Sequence, residues 1–413
     1  MRSRGRPTTA AATGHPRRRS QHPKYPTPGR NTAMAWHTVW NGTPLEGATA
    51  RTAELQQRLS VTSNLHGGQL RVRLRAASGA EGPSVIDSLN AVVDAGEPTA
   101  LLQHGSPRIV LEQGQEVLCD PVPLSVQPGA TIEIRCQAGE SRSAAALSPV
   151  LAHGQAQLET RGGLAPTGPA AEALGTMLTL PGLGLVNGVT TIEVETRGPV
   201  TGLALFGDSI TQMGFWPAAL ERHLRTEFPG RTAVRNLGIA GNRVLHDAPS
   251  SQPTFGPAAG SRFTPQVFGD EPVGLVVVLI GVNDLVHPAS LPEAADEVVT
   301  ADELLAGIGA FAEVSHRHGA RAVVCTIPPF FGNEAWTPQT EAVRQEVNAG
   351  LATETSFDAF VDLDQALCGD DAARPAQRDA LHIGDRLHPN PQGGEAIAAA
   401  VMPALRPLLA DGP

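Results

Sequence analysis

Aromatic side chains are scarce: Phe, Trp and Tyr make up 4% of the 413 residues, with a single tyrosine. Core packing therefore rests on Leu, Val, Ile and Ala, within a hydrophobic content of 41% that is ample for real cores. Cysteine is scarce as well, limited to Cys119, Cys136, Cys325 and Cys368. None forms a Cys-x-x-Cys pair, which argues against a structural zinc. Cys325 lies inside the apolar run Ala322-Val323-Val324-Cys325-Thr326-Ile327 and reads as a small buried hydrophobe. Cys119 and Cys136 flank the turn Gln127-Pro128-Gly129-Ala130 and could face each other. A disulfide and two free thiols are both open there, the thiols preferred, so the redox compartment is undetermined.

Long apolar runs are missing. No stretch reaches the roughly 18 residues of a membrane-spanning helix. No apolar run follows Arg17-Arg18-Arg19 to make a signal peptide. The expectation is a cytoplasmic chain as written, or an extracellular one if the start is mis-assigned. Positive charge is also short, with 31 Lys/Arg against 41 Asp/Glu and a net charge of −10. That argues against nucleic acid or an anionic membrane as a partner. The exception is residues 1–30, with eight Arg/Lys and no acid. Residues 1–31 read as a disordered basic tail: a solvated arm, or sequence ahead of a true start at Met34.

The rest divides in two. Residues 32–198 read as all-β. Leu70-Arg71-Val72-Arg73-Leu74-Arg75 alternates strictly, as a half-buried strand does. Short runs such as Ala100-Leu101-Leu102, Arg108–Leu111, Thr131–Ile134 and Thr191–Val194 follow, separated by Gly/Pro turns. This pattern predicts a sandwich or jelly roll. Glu172–Thr179 fits either a short helix or a strand. From residue 199 the rhythm changes to strands at 203–206, 233–237, 274–280, 322–327 and 360–363. They alternate with helices near 216–227, 302–319 (Thr300 capping), 339–353 and 395–409. Such alternation means an α/β domain over 199–413, its parallel sheet covered on both sides.

Four stretches in this second half carry chemistry. Ser209, in Gly207-Asp208-Ser209-Ile210, directly follows a strand and precedes a helix, which exposes its hydroxyl at the carboxyl edge of the sheet. A serine there is a nucleophile if a base serves it, and otherwise a helix cap. Gly241, in Gly238-Ile239-Ala240-Gly241, can turn its N–H toward a ligand. Asn283, in Gly281-Val282-Asn283-Asp284, can donate its amide to an oxyanion, or merely make an Asx turn. In Asp385-Arg386-Leu387-His388-Pro389, His388 is the candidate base, and Asp385 can fix its tautomer. His287 lies in a second Asp-x-x-His-Pro stretch, but abuts Asn283 on the oxyanion side. His382 is a further decoy. Together the four stretches supply a nucleophile, oxyanion donors (the Ser209 and Gly241 N–H groups and the Asn283 amide) and an Asp/His base, a full set for acyl transfer.

These motifs resemble the SGNH hydrolases, also called GDSL esterases. The family's invariant Ser, Gly, Asn and His fall on Ser209, Gly241, Asn283 and His388, and its acid on Asp385. The resemblance covers about residues 199–413 and implies a three-layer flavodoxin-like fold. The β-rich front half is similar to a bacterial two-domain form of the family. The stretch departs from the Gly-x-Ser-x-Gly elbow of ordinary α/β-hydrolases. Phe215, Trp216, Phe330, Phe331 and Trp336 gather near strand ends, where they line an acyl or sugar pocket or simply pack the core. The leading expectation is a serine esterase for short-chain acyl or acetyl esters. Its substrates are small molecules or polysaccharide-linked esters, and it has no metal and no cofactor. Thioesterase or lysophospholipase activity at the same site, and a silent carbohydrate-binding protein, are the alternatives. Oligomeric state is not legible.

Overall fold

The structure is a computed structural model that describes residues 34–140, 143–269, 271–369 and 375–410. The basic tail read at 1–31 lies outside the described residues.

The front half is a sandwich of two antiparallel sheets. One has the order Met34–Asn41, Val189–Arg197, Gln69–Arg75, Glu116–Leu118. The other runs Ala156–Thr167, Thr49–Thr62, Thr131–Ala138, Ser88–Val93, Thr99–Ala100. The strict alternation at 70–75 explains the packing. Leu70, Val72 and Leu74 are fully buried between the sheets, with Ile192, Val194, Leu59, Ile132 and Ile134. The intervening arginines point outward, as a period of two requires. Of the expected run at 100–102 only Ala100 pairs, in the strand Thr99–Ala100. Leu101 is buried beyond it. The ambiguous stretch near 172–179 is a helix, Ala171–Met177.

Cys119 and Cys136 are free thiols, both buried in the sandwich core. Burial pushes each thiol up to about 12, so neither is a thiolate at neutral pH.

The second half is built on a parallel sheet. Its strands are β1 (Thr201–Gly207), β2 (Thr232–Gly238), β3 (Leu275–Leu279), β4 (Arg321–Cys325) and β5 (Ala359–Val361). Their spatial order is β2-β1-β3-β4-β5, that of a flavodoxin-like fold. Helices on both faces bury every residue of β3, which accounts for its unbroken apolar run. Thr300 caps the helix Ala301–Arg317 through a capping box with Glu303. The C-terminal helix is longer than its apolar pattern suggests, Pro391–Ala410, because Pro391 suits a first turn. Among the described residues no helix is long and apolar enough to cross a membrane.

The edge strand β2 would expose unpaired backbone groups. The front half covers them. Asn41 donates its amide to Asn236 O (2.7 Å) and accepts from Asn236 N (2.8 Å), as a neighbouring strand would. Glu271 accepts from both the N–H and the hydroxyl of Thr38 and pairs with Arg235. These polar contacts seat the sandwich on the side of the parallel sheet.

Candidate active site

Pairing register brings three loops together. Gly207 at the end of β1 lies opposite Gly238 of β2 and Leu279 of β3. Ser209, Gly241 and Asn283 each follow within a few residues of those strand ends. The turn after β1 is tight: a Cβ on Gly238 would stand 2.3 Å from Gln212 N and 2.8 Å from Asp208 O. A larger residue there would push the serine turn off the sheet.

Ser209 is the first residue of the short helix Ser209–Gln212. It is not the cap. Asp208 takes that role, accepting from Ile210 N at 3.0 Å, which leaves the Ser209 hydroxyl for other work. Ser209 Oγ lies 2.8 Å from His388 Nε2. His388 Nδ1 lies 2.5 Å from Asp385 Oδ2. The other oxygen of Asp385 accepts from the backbone N–H groups of Leu387 (3.0 Å) and His388 (2.9 Å). Burial raises the Asp385 carboxyl, but the His388 hydrogen bond and charge and the two N–H groups outweigh it. They hold the group at about 2. It is therefore an anion at neutral pH. Asn333 donates to Asp385 O at 2.9 Å, and Gln377 to Leu387 O at 2.7 Å, fixing the segment from outside.

Gly241 has φ +72°, and a Cβ there would meet the Phe255 ring at 2.2 Å. Only glycine fits this left-handed, crowded position. Among the described residues neither the Ser209 N–H nor the Gly241 N–H has an acceptor. Asn283, in the first turn of the helix Val282–Ser290, is 5% exposed. One N–H of its amide goes to Asn242 O at 3.1 Å, leaving the other available. The adjacent Asp284 accepts from Val244 N (2.8 Å) and Leu245 N (3.1 Å). Burial pushes its carboxyl up to about 6, against the pull of those two N–H groups and Arg243. Asn242 and Asp284 thus lace the Gly241 loop to the Asn283 helix. Both were passed over in the sequence, where Asp284 read only as half of a decoy pair.

The two decoy histidines are elsewhere. His287 is buried and packs against Phe255, ring centroids 5.1 Å apart. Burial, reinforced by the Arg243 charge, pushes it down to about 4, so it is neutral at pH 7. His382 accepts from the N–H groups of Gly384 (3.0 Å) and Arg386 (3.2 Å), a turn-holding role.

The aromatic pocket needs correction. Trp216 and Phe330 are fully buried in the hydrolase core, and Phe215 is buried as well. None of the three offers a surface to a substrate. Phe331 remains half-buried, in an edge-on pair with Trp336 (centroids 4.6 Å apart), on the loop that also carries Asn333.

Residues 205–396 match the GDSL-like lipase/acylhydrolase family. Similar solved structures include an alpha/beta hydrolase enzyme from the metagenome of Lake Arreo, Spain. It is 22% identical, covers 50% of this chain and 95% of its own, and has a TM-score of 0.39. An acetylxylan esterase from Geobacillus stearothermophilus is 21% identical over 50% of this chain and 95% of its own, with a TM-score of 0.40. A carbohydrate acetylesterase family member from Sinorhizobium meliloti is 16% identical over 51% and 100%, with a TM-score of 0.39. No curated protein matches the chain significantly. Residues 205–396 form a GDSL-like lipase/acylhydrolase domain, and the chain is a carboxylic ester hydrolase.

Proposed function

We propose that the chain is a serine esterase for short-chain acyl esters, acetyl above all, and that it works through an acyl-enzyme on Ser209. The observation that carries this reading is the continuous chain from Ser209 Oγ to His388 to Asp385. Ser209 Oγ attacks the ester carbonyl carbon while His388 Nε2 takes its proton. The carbonyl oxygen, now anionic, accepts from the Ser209 and Gly241 N–H groups and the free N–H of Asn283. Collapse breaks the bond to the alcohol oxygen, and His388 returns the proton to it. Water then attacks the acyl-serine, again losing a proton to His388. The tetrahedral intermediate releases the acid and restores Ser209. Asp385 holds the imidazole with Nδ1–H inward and Nε2 free to accept.

What is closed supports a short acyl group. A long chain needs an apolar trough, and Trp216 and Phe330 are consumed by the core. The half-buried Phe331–Trp336 pair is on the loop whose Asn333 donates to Asp385 O. A sugar ring could lie against it there.

A series of p-nitrophenyl esters from acetate to palmitate, run beside acetylated xylan, tests the substrate class. The expected result is the highest kcat/KM at acetate to butyrate, with acetate released from the polymer. A phosphonate inhibitor should label Ser209, as read by peptide mass spectrometry. Equal rates on palmitate, or a preference for thioesters or lysolipids, would overturn the short-ester assignment.

Asn283→Ala should lower kcat by about 10²–10³-fold with KM little changed, because its bond to the oxyanion forms mainly in the transition state. A raised KM at constant kcat would move Asn283 into substrate binding.

A further inference from the structure

Arg262 sits on the helix Ala259–Phe268, behind the ends of β1 and β2, and is 3% exposed. Nothing in the ester chemistry uses it. A guanidinium this deep is costly unless its N–H groups are satisfied. Burial pulls it down to about 9, with the Asp208 charge opposing, so it is still a cation at neutral pH. Its hydrogen bonds go to neutral acceptors. Nη2 donates to Gly207 O (2.7 Å), and Nη1 to Leu237 O (2.9 Å) and Gln266 Oε1 (2.7 Å). Nε donates to Asn242 Oδ1 (2.8 Å). The Phe206 ring packs beneath it, 4.0 Å from Cζ.

Three of those acceptors lead to the oxyanion donors. Gly207 is two residues before Ser209. Leu237 is four before Gly241. Asn242 follows Gly241, and its carbonyl receives the Asn283 amide. A guanidinium is planar, with its donors in a fixed fork. One rigid group therefore ties together Gly207, Leu237 and Asn242, in the segments that lead to the three donors.

We propose that Arg262 is a positioning residue for the oxyanion hole, its fork holding the Ser209, Gly241 and Asn283 donors at the spacing the anionic intermediate needs. This rests on the serine-esterase reading above. Geometry rather than charge is what it supplies: a lysine would keep the charge, but its tetrahedral ammonium cannot reproduce the planar set of acceptors.

The test compares Arg262→Lys with wild type on p-nitrophenyl acetate. It also measures inhibition by an alkylboronic acid, whose serine adduct places an oxygen in the hole. R262K is expected to lose about 10–10²-fold in kcat, with KM within about threefold. The boronate inhibition constant should rise by the same factor. Gln266→Ala, which removes the one acceptor leading to no donor, should match wild type in both. A folded R262K with wild-type kcat and inhibition constant overturns the proposal. So does a loss of kcat with no change in boronate binding, which would mark Arg262 as structural only. If R262K lacks a cooperative melt, Asn242→Ala cuts the same fork from its other end. It should show the paired loss, and wild-type values there would equally overturn the proposal. Ser209→Ala separates the two readings. An inactive S209A beside a wild-type-like R262K refutes the Arg262 role alone. An active S209A refutes the serine mechanism, and the positioning role with it.

Discussion

His388→Ala should lower kcat/KM by about 10⁴–10⁶-fold, the loss that follows removal of a base from a unit that acts together. A serine hydroxyl is not nucleophilic at neutral pH, and among the described residues the only imidazole hydrogen-bonded to Ser209 Oγ is that of His388, at 2.8 Å. The same change should slow phosphonate labelling of Ser209, because labelling needs the same proton transfer. His382→Gln and His287→Gln should leave much more activity. His382 braces the turn that presents Asp385, and His287 is a neutral group packed behind the oxyanion loop. Rates on p-nitrophenyl acetate for the three variants decide the matter. If H287Q is as inactive as H388A while still folded, the base has been assigned to the wrong histidine.

Asp385→Asn should cost about 10⁴-fold in kcat while leaving the fold and KM nearly intact. The substituted amide can still accept from the Leu387 and His388 N–H groups through its oxygen. It then turns an NH₂ toward His388 Nδ1, so the ring takes the tautomer with Nε2 protonated, and Nε2 can no longer accept from Ser209. A linkage effect accompanies this. Asp385 is held at about 2, below its ordinary value of 3.8. Its ionised form therefore favours the folded state above pH about 4, and that contribution fades as pH falls toward 2. The melting temperature of D385N should fall less steeply than that of wild type across the same acid window. A D385N enzyme within tenfold of wild type would mean that backbone contacts alone orient His388.

The candidate site was legible because each of its parts is local. Ser209 follows a strand and a Gly-Asp pair. Asn283 follows a continuous apolar strand. Asp385 and His388 sit three residues apart, close enough for one turn to join them. The aromatic pocket was misread for a related reason. Phe215, Trp216 and Phe330 stand near strand ends in sequence, but a residue next to a strand end can point inward as readily as outward. Composition does not choose between those directions; packing does. Asn242, Asp284, Asn333 and Gln377 were not found because isolated polar residues carry no periodicity. The contacts by which they hold the site span from 10 to 52 positions, a separation that no local pattern encodes.

Read without coordinates, the chain already divided into an alternating β half and a strand–helix half, because periods of 2 and 3.6 are properties of short segments. It also singled out Ser209, His388 and Asp385 as candidates for nucleophile, base and acid. What only the tertiary structure decided is how the pieces are held. Among three candidate histidines, the fold put His388 against Ser209, buried His287 behind the oxyanion loop and used His382 to brace a turn. It made Asp208 the cap and so released the Ser209 hydroxyl. It closed the edge of β2 with Asn41 from the front half and put Arg262 behind the ends of β1 and β2 at once. These are long-range contacts fixed by strand register and by the need to satisfy buried polar groups, and both arise only when the whole sheet has formed.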